Sequence, residues 1–67
     1  MAVARVTEIS STSSVSFEDA IKSGLERANQ TLRNVRRAWI KEQQVRLDGG
    51  TIAEYQVNML VTFVLDD

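Results

Sequence analysis

The side chains of this chain that could do chemistry are aromatic, amide and guanidinium groups rather than nucleophiles or soft metal ligands. The sequence contains no cysteine and no histidine, which excludes thiol and imidazole catalysis and zinc sites built from those residues. The glycine pair Gly49-Gly50 is not followed by a helical pattern, so it indicates a hairpin turn rather than a phosphate-binding loop. We therefore expect a non-catalytic binding protein, and we predict no metal-ligand set.

Two side chains suit the recognition of a flat ring with polar edges. Trp39 is the only tryptophan and offers a π-face on which such a ring can stack; packing at a subunit contact is its other interpretation. Gln56 carries a carboxamide that both donates and accepts hydrogen bonds, which suits the edge of a flavin, purine or pteridine. A glutamine that simply lies on the surface or at a subunit contact is the alternative for Gln56.

A basic patch surrounds Trp39 in the sequence. It consists of Arg33, Arg36, Arg37, Lys41 and Arg46. We favour salt bridges between subunits for this patch over a nucleic-acid surface, because the formal net charge is −1 and only one aromatic residue is nearby. A phosphate at the edge of a small ligand is the remaining alternative, since the arginine guanidinium matches its geometry.

The candidate residues belong to a long hairpin. Residues 33–48 are predicted to form its first arm, Gly49-Gly50 its turn and residues 51–65 its returning arm. Apolar residues alternate along the returning arm and predict a face that packs on a helix. That face consists of Ala53, Tyr55, Val57, Met59, Val61, Phe63 and Leu65.

The other face of the hairpin is left uncovered, because one helix of about 17 residues spans only ~25 Å. It is predicted to carry Gln56, Leu60 and Val64, with Trp39, Ile40 or both. Simple alternation along the first arm places Trp39 and Gln44 on opposite faces. Such a surface must meet a second copy of the chain, a flat ligand, or both.

A strand and a helix are predicted before the hairpin. Residues 2–11 are β-rich and end in the polar run at residues 10–14, and their imperfect alternation indicates a bulge or a strand with both faces partly buried. Ser16 is a good N-cap, and apolar residues follow it at spacings of three and four. Gly24, in mid-helix, indicates a close approach to a strand or a neighbouring subunit. The fold class is therefore α+β, in the order β-α-β-β, with a three-stranded antiparallel sheet.

Length and composition indicate one domain, residues 1–67, that depends on assembly. A chain of 67 residues is marginally stable alone, and without cysteine or histidine we expect oligomerisation to provide the missing support. No apolar run approaches the ~20 residues of a membrane span, and no signal-peptide core is evident at the N-terminus, so we expect a cytoplasmic protein.

Several short segments follow one another with a specific order and spacing. They are Ser16-Phe17-Glu18-Asp19-Ala20-Ile21, Arg27-Ala28, Thr31-Leu32-Arg33-Asn34-Val35, Lys41-Glu42-Gln43, Glu54-Tyr55-Gln56-Val57 and Val61-Thr62-Phe63-Val64-Leu65. Together they resemble the dodecins, a family of small flavin-binding proteins. The resemblance implies a sheet that partly wraps one helix and twelve copies that form a hollow shell with 23 symmetry. It also implies flavins, FMN or riboflavin, that are held in pairs between subunits and stored or buffered. A structural shell, or an ion- or anion-binding module without flavin, is the alternative.

The same resemblance suggests which residues would hold the flavin. Gln56 matches the family glutamine that hydrogen-bonds the ring edge, and Gln44 lies near the pocket rim. Counted without gaps, Arg37 stands where flavin-binding dodecins have their stacking tryptophan, and Trp39 follows two residues later. Either Trp39 replaces that tryptophan, or Arg37 stacks through its guanidinium plane, or the site has lost flavin.

Overall fold

The computed structural model describes residues 3–65 and confirms the predicted order of elements. Strand β1 spans Ala4–Ser13, helix α1 Phe17–Thr31, strand β2 Val35–Asp48 and strand β3 Thr51–Val64. The strands form one antiparallel sheet in the order β1-β3-β2, so β3 is central and pairs with both neighbours. Among the described residues, no helix is long and apolar enough to cross a membrane.

Strand β1 is longer and more regular than its sequence indicates. The prediction that the serine-rich run ends the strand is wrong, because Ser11 and Ser13 still pair with Val57 and Tyr55 of β3. The pairing of β1 with β3 shows no register shift, which excludes a bulge as one of the two explanations for the imperfect alternation, and Val6 is exposed on the face away from the helix. Pairing with the apolar central strand therefore overrides the low β propensity of serine.

The turn from β1 into α1 is held by side-chain hydrogen bonds. The Ser13 hydroxyl donates to the Asp19 carboxylate at 2.6 Å and accepts from the Val15 backbone N–H at 2.9 Å. Ser16 is the N-cap, as predicted, and its hydroxyl accepts from the backbone N–H of Asp19 at 3.0 Å. The Ser16 bond satisfies a donor that the first turn of a helix otherwise leaves unpaired, and the Ser13 bonds tie the end of β1 to that turn.

The core lies between the middle of β3 and one face of α1. Val57, Met59 and Val61 are fully buried and pack against Ala20 of the helix. Each such side chain contributes roughly 1.5–3 kcal/mol when it leaves water. The chain extends over 51 Å, whereas a helix of 15 residues spans only ~22 Å, so α1 covers the middle of the sheet and leaves its ends exposed.

The hairpin ends in the predicted glycine turn. Gly49 and Gly50 have φ angles of 59° and 82°, and a two-residue turn with both φ values positive matches the right-handed twist of the flanking strands. Residues with a side chain adopt this conformation reluctantly, which explains the glycine pair at this position.

Strand β2 is irregular, and this changes which of its residues share a face. Its pairing with β3 shifts at Arg36 and again at Lys41, where β2 contains one residue more than β3. Such bulges reverse the alternation of side chains beyond them. The prediction that Trp39 and Gln44 lie on opposite faces is therefore wrong, since each pairs with a β3 residue on the face away from α1, which we call the outer face. Ile40 pairs with buried Met59 and lies on the helix side.

Gly24 is the point of closest approach between α1 and the sheet. A Cβ at this position would lie 2.8 Å from Met59 Cε and 2.9 Å from Ser11 Cβ. The expected close approach to a strand is therefore confirmed, and it explains a glycine in mid-helix.

We predict that Gly24→Ala lowers the free energy of unfolding by about 1 kcal/mol. Overpacking costs ~1–3 kcal/mol, which outweighs the gain of ~1 kcal/mol in helix propensity. Denaturant unfolding at a fixed protein concentration measures the change. Asn29→Ala, at an exposed position of the same helix, is the control and should cause no loss. A Gly24→Ala variant as stable as the wild type would contradict this close packing.

Candidate functional site

The outer face carries all four side chains that the sequence singles out for ligand binding. Strand pairing places Arg37 opposite Thr62, Trp39 opposite Leu60 and Gln44 opposite Gln56. Side chains of directly opposed residues project from the same face of a sheet, with Cβ atoms ~4.5–5.5 Å apart. Gln44 and Gln56 are therefore immediate neighbours and form a pair of carboxamides.

The stacking and edge-binding candidates are well separated within one chain. Leu60, the neighbour of Trp39, lies four residues from Gln56 along β3, which is ~13 Å at ~3.3 Å per residue. Arg37 is farther still, because its neighbour Thr62 lies two residues beyond Leu60. A single chain thus brings the two glutamines together but leaves Trp39 and Arg37 at the other end of the face.

Trp39 is the most exposed aromatic side chain of the outer face, with 68% of its surface accessible. The residue beside it in the sheet is Leu60, and β1 places Glu8 on the far side of Leu60. Exposed apolar side chains of this size mark surfaces that meet a ligand or a partner, because burying an aromatic ring removes 150–250 Å² from water in typical cases.

Gln56 is held by hydrogen bonds across the outer face. Its Nε2 donates to Ser10 Oγ at 3.0 Å and to Asn58 Oδ1 at 3.2 Å. The Nδ2 atom of Asn58 in turn donates to Glu42 Oε1 at 2.9 Å. Sequence reasoning missed these partners, since the pairing of Ser10 with Asn58 follows from the β1–β3 register and that of Glu42 with Asn58 from the bulge at Lys41.

A shallow cavity lies beside the glutamine pair. It has a volume of about 270 Å³ and is lined by Gln44, Val45, Arg46, Glu54 and Gln56. Ligand sites usually enclose ~300–1,000 Å³, so this cavity is slightly smaller than a typical ligand site. A larger cavity of about 420 Å³ lies between β1 and α1 and is lined by none of the four candidate residues.

Among residues 3–65, two cationic side chains of the outer face form ion pairs within the chain, and a third does not. Lys41 Nζ lies 3.4 Å from Glu8 Oε2, and Arg46 Nη2 lies 3.6 Å from Glu54 Oε2. These two ion pairs form within the chain, unlike the salt bridges between subunits that the sequence predicts for the basic patch. Arg37, by contrast, has no carboxylate within ion-pair distance among residues 3–65. Its guanidinium is therefore a positive charge on the face of Trp39 that no carboxylate of residues 3–65 neutralises.

Acidic side chains do not converge in the described part of the chain. No group of three or more residues with metal-binding side chains comes together there. A cation site built from three carboxylates would thus need ligands from outside residues 3–65 or from another copy.

Comparison with known proteins gives consistent matches over the whole described structure. The sequence model of the family "Dodecin" matches residues 3–66. The structure of dodecin from Streptomyces davaonensis has a TM-score of 0.94 and 41% identity, covering 98% of this chain and 97% of that one. An arginine-to-alanine mutant of Thermus thermophilus dodecin has a TM-score of 0.94 and 33% identity, with full coverage of both chains.

A third solved structure names a ligand, calcium. It is the calcium chelating immunodominant antigen, calcium dodecin, of Mycobacterium tuberculosis, described with a novel calcium-binding site. It has a TM-score of 0.83 and 31% identity, and the match covers 96% of this chain and 91% of that chain. A search of curated proteins finds no match.

Proposed function

The chain belongs to the dodecin family, and we propose that it binds and stores flavin between copies of itself without chemical turnover. The observation that carries this proposal is the outer face, where an exposed Trp39 and the Gln44–Gln56 pair lie on one surface that α1 cannot cover. A planar ring with a polar edge needs both kinds of group, one for stacking and one for hydrogen bonds.

The distance between Trp39 and Gln56 explains why flavin binding would require assembly. Trp39 and Gln56 are ~13 Å apart along one chain, too far for direct contact. A second copy related by a two-fold axis can place Gln56 of the partner subunit beside a ring that stacks on Trp39. Twelve copies with 23 symmetry would create such a contact repeatedly and would cover the exposed apolar residues of the face.

We assign stacking to Trp39 rather than to Arg37. The two residues share the outer face and lie ~6–7 Å apart along β2, with no register shift between them. Trp39 therefore has the orientation that a stacking residue needs. The stacking position would lie two residues further along β2 than the position that Arg37 occupies. Stacking on the indole would stabilise the bound ring and quench its excited state, whereas Gln56 would orient its edge.

Arg37 then supports a phosphorylated ligand. Its guanidinium has no carboxylate partner among residues 3–65 and lies on the same face as Trp39. A phosphate monoester on a ring stacked at Trp39 would supply the missing negative charge and fits the planar donors of arginine. Of the two flavins considered, we therefore favour FMN over riboflavin.

A shell that binds a cation instead of flavin is the second candidate. The name of the Mycobacterium tuberculosis relative favours it, because that protein is described as a calcium dodecin. The absence of a converging acidic group among residues 3–65 speaks against an equivalent site within one chain. The colour of the purified protein would separate the two candidates, because flavin is yellow and calcium is colourless.

Flavin titration tests the stacking role of Trp39. We expect the wild type to quench FMN and riboflavin fluorescence at micromolar concentration and Trp39→Ala to weaken binding at least tenfold, about 1.4 kcal/mol. Val15→Ala, which truncates an exposed apolar residue in the loop before α1, should bind like the wild type. Absence of quenching in the wild type would overturn the proposed function.

Comparison of FMN with riboflavin tests the role of Arg37. At low salt we expect the wild type to bind FMN about tenfold more tightly and Arg37→Ala to lose that preference, since a charge-assisted pair contributes ~1.5–3 kcal/mol. Arg27→Ala makes the same change in net charge at an exposed position on α1 and should keep the preference. An FMN preference that survives in Arg37→Ala would contradict the assignment.

Sedimentation tests the assembly independently of the ligand. We expect a particle of about twelve times the chain mass of 7.5 kDa. Trp39, the only tryptophan, should also fluoresce at shorter wavelength in the assembled protein than after dissociation, because assembly would bury it. A monomer with a solvent-exposed tryptophan at micromolar concentration would contradict the account.

A further inference from the structure

Two hydrogen bonds connect Gln56 to a carboxylate through an asparagine, and a third connects it to a serine. Glu42 on β2, Asn58 and Gln56 on β3 and Ser10 on β1 form a continuous chain across the outer face, which we call the Glu42–Ser10 relay. Its donor–acceptor distances are 2.9 Å from Asn58 to Glu42, 3.2 Å from Gln56 to Asn58 and 3.0 Å from Gln56 to Ser10.

The carboxylate of Glu42 determines which group donates and which accepts in each hydrogen bond of the relay. An ionised carboxylate only accepts hydrogen bonds, so Asn58 must turn its NH₂ group toward Glu42. The carbonyl oxygen of Asn58 then faces Gln56 and can only accept. Gln56 must therefore present its NH₂ group to Asn58 and to the hydroxyl of Ser10, which uses both protons on Nε2.

The remaining polar atom of Gln56 is its Oε1, a pure acceptor. Among residues 3–65 no donor reaches this oxygen. Building on the proposed flavin site, we propose that the Glu42–Ser10 relay locks Gln56 as a hydrogen-bond acceptor and so selects rings whose edge presents an N–H group. Glu42 and Asn58 are positioning residues in this mechanism, because they act on the ligand only through Gln56.

The neighbouring carboxamide complements this acceptor. Gln44 lies directly opposite Gln56, and none of its side-chain atoms is hydrogen-bonded within residues 3–65. Its NH₂ group can donate to a carbonyl beside the N–H that Gln56 Oε1 accepts. Together the two side chains match the alternating carbonyl, N–H and carbonyl groups of an imide, such as the pyrimidine edge of isoalloxazine.

Riboflavin and 3-methylriboflavin, in which a methyl group replaces the imide hydrogen, test the proposal. We expect the wild type to bind riboflavin at least tenfold more tightly, since methylation leaves Gln56 Oε1 unpaired in the complex. Glu42→Gln should reduce this ratio to between one and three, because a glutamine at this position can donate or accept and no longer fixes Asn58. Glu8→Gln, which removes one charge from the same face outside the relay, should keep the wild-type ratio.

A double variant that exchanges the acid and the amide should restore the preference for riboflavin. In the Glu42→Gln, Asn58→Asp double variant, the amide at position 42 donates to the carboxylate at position 58, and that carboxylate accepts from Gln56. The orientation of Gln56 is thereby restored, so the ratio should return to at least tenfold. Should Glu42→Gln fail to assemble, Asn58→Ala also breaks the relay and should show the same loss.

The outcomes separate this inference from the proposed function. The relay is supported if the single variants lose the preference for riboflavin over 3-methylriboflavin and the double variant regains it. Binding of both flavins with a ratio near one in the wild type, or a ratio that Glu42→Gln and Asn58→Ala leave unchanged, overturns the relay alone. Failure of the wild type to bind either flavin overturns the proposed function and the relay with it.

Discussion

The structure depends on a mismatch of lengths between one helix and one sheet. Helix α1 has 15 residues and spans ~22 Å, whereas the chain extends over 51 Å. The helix buries the middle of β3 completely but cannot reach the ends of the hairpin or its outer face. The tryptophan and the carboxamide pair remain accessible because they lie on the face that α1 does not contact. The proposed assembly would cover both this outer face and the ends of the sheet that the helix is too short to reach.

Much of this fold could be predicted because β3 and α1 carry strong periodic patterns. The alternation that ends in Met59 and Val61 predicts the buried face of the hairpin, and the Ser16 cap predicts where the helix begins. The bulges of β2 have no comparable signal, since the extra residues Arg36 and Lys41 are polar like their neighbours. The end of β1 also escaped prediction, because its serines become strand only through pairing with the apolar β3.

The bulge at Lys41 matters more for the site than for the fold. Without it, Trp39 and Gln44 would lie on opposite faces, and no common surface would exist for stacking and hydrogen bonding. It also aligns Glu42 with Asn58, which sets the orientation of Gln56. The four candidate residues could therefore be named from the sequence and its family resemblance, whereas their arrangement and their supporting side chains could not.

In the proposed site, a flavin ring stacks on Trp39 while Gln56 of the partner subunit binds its edge. A crystal structure of the protein grown with FMN tests this arrangement. We expect the isoalloxazine plane against the indole of Trp39, its edge within hydrogen-bond distance of Gln56 of the partner subunit, and its phosphate at Arg37. A ring bound elsewhere, for example in the cavity between β1 and α1, or an outer face that contacts only protein would contradict it.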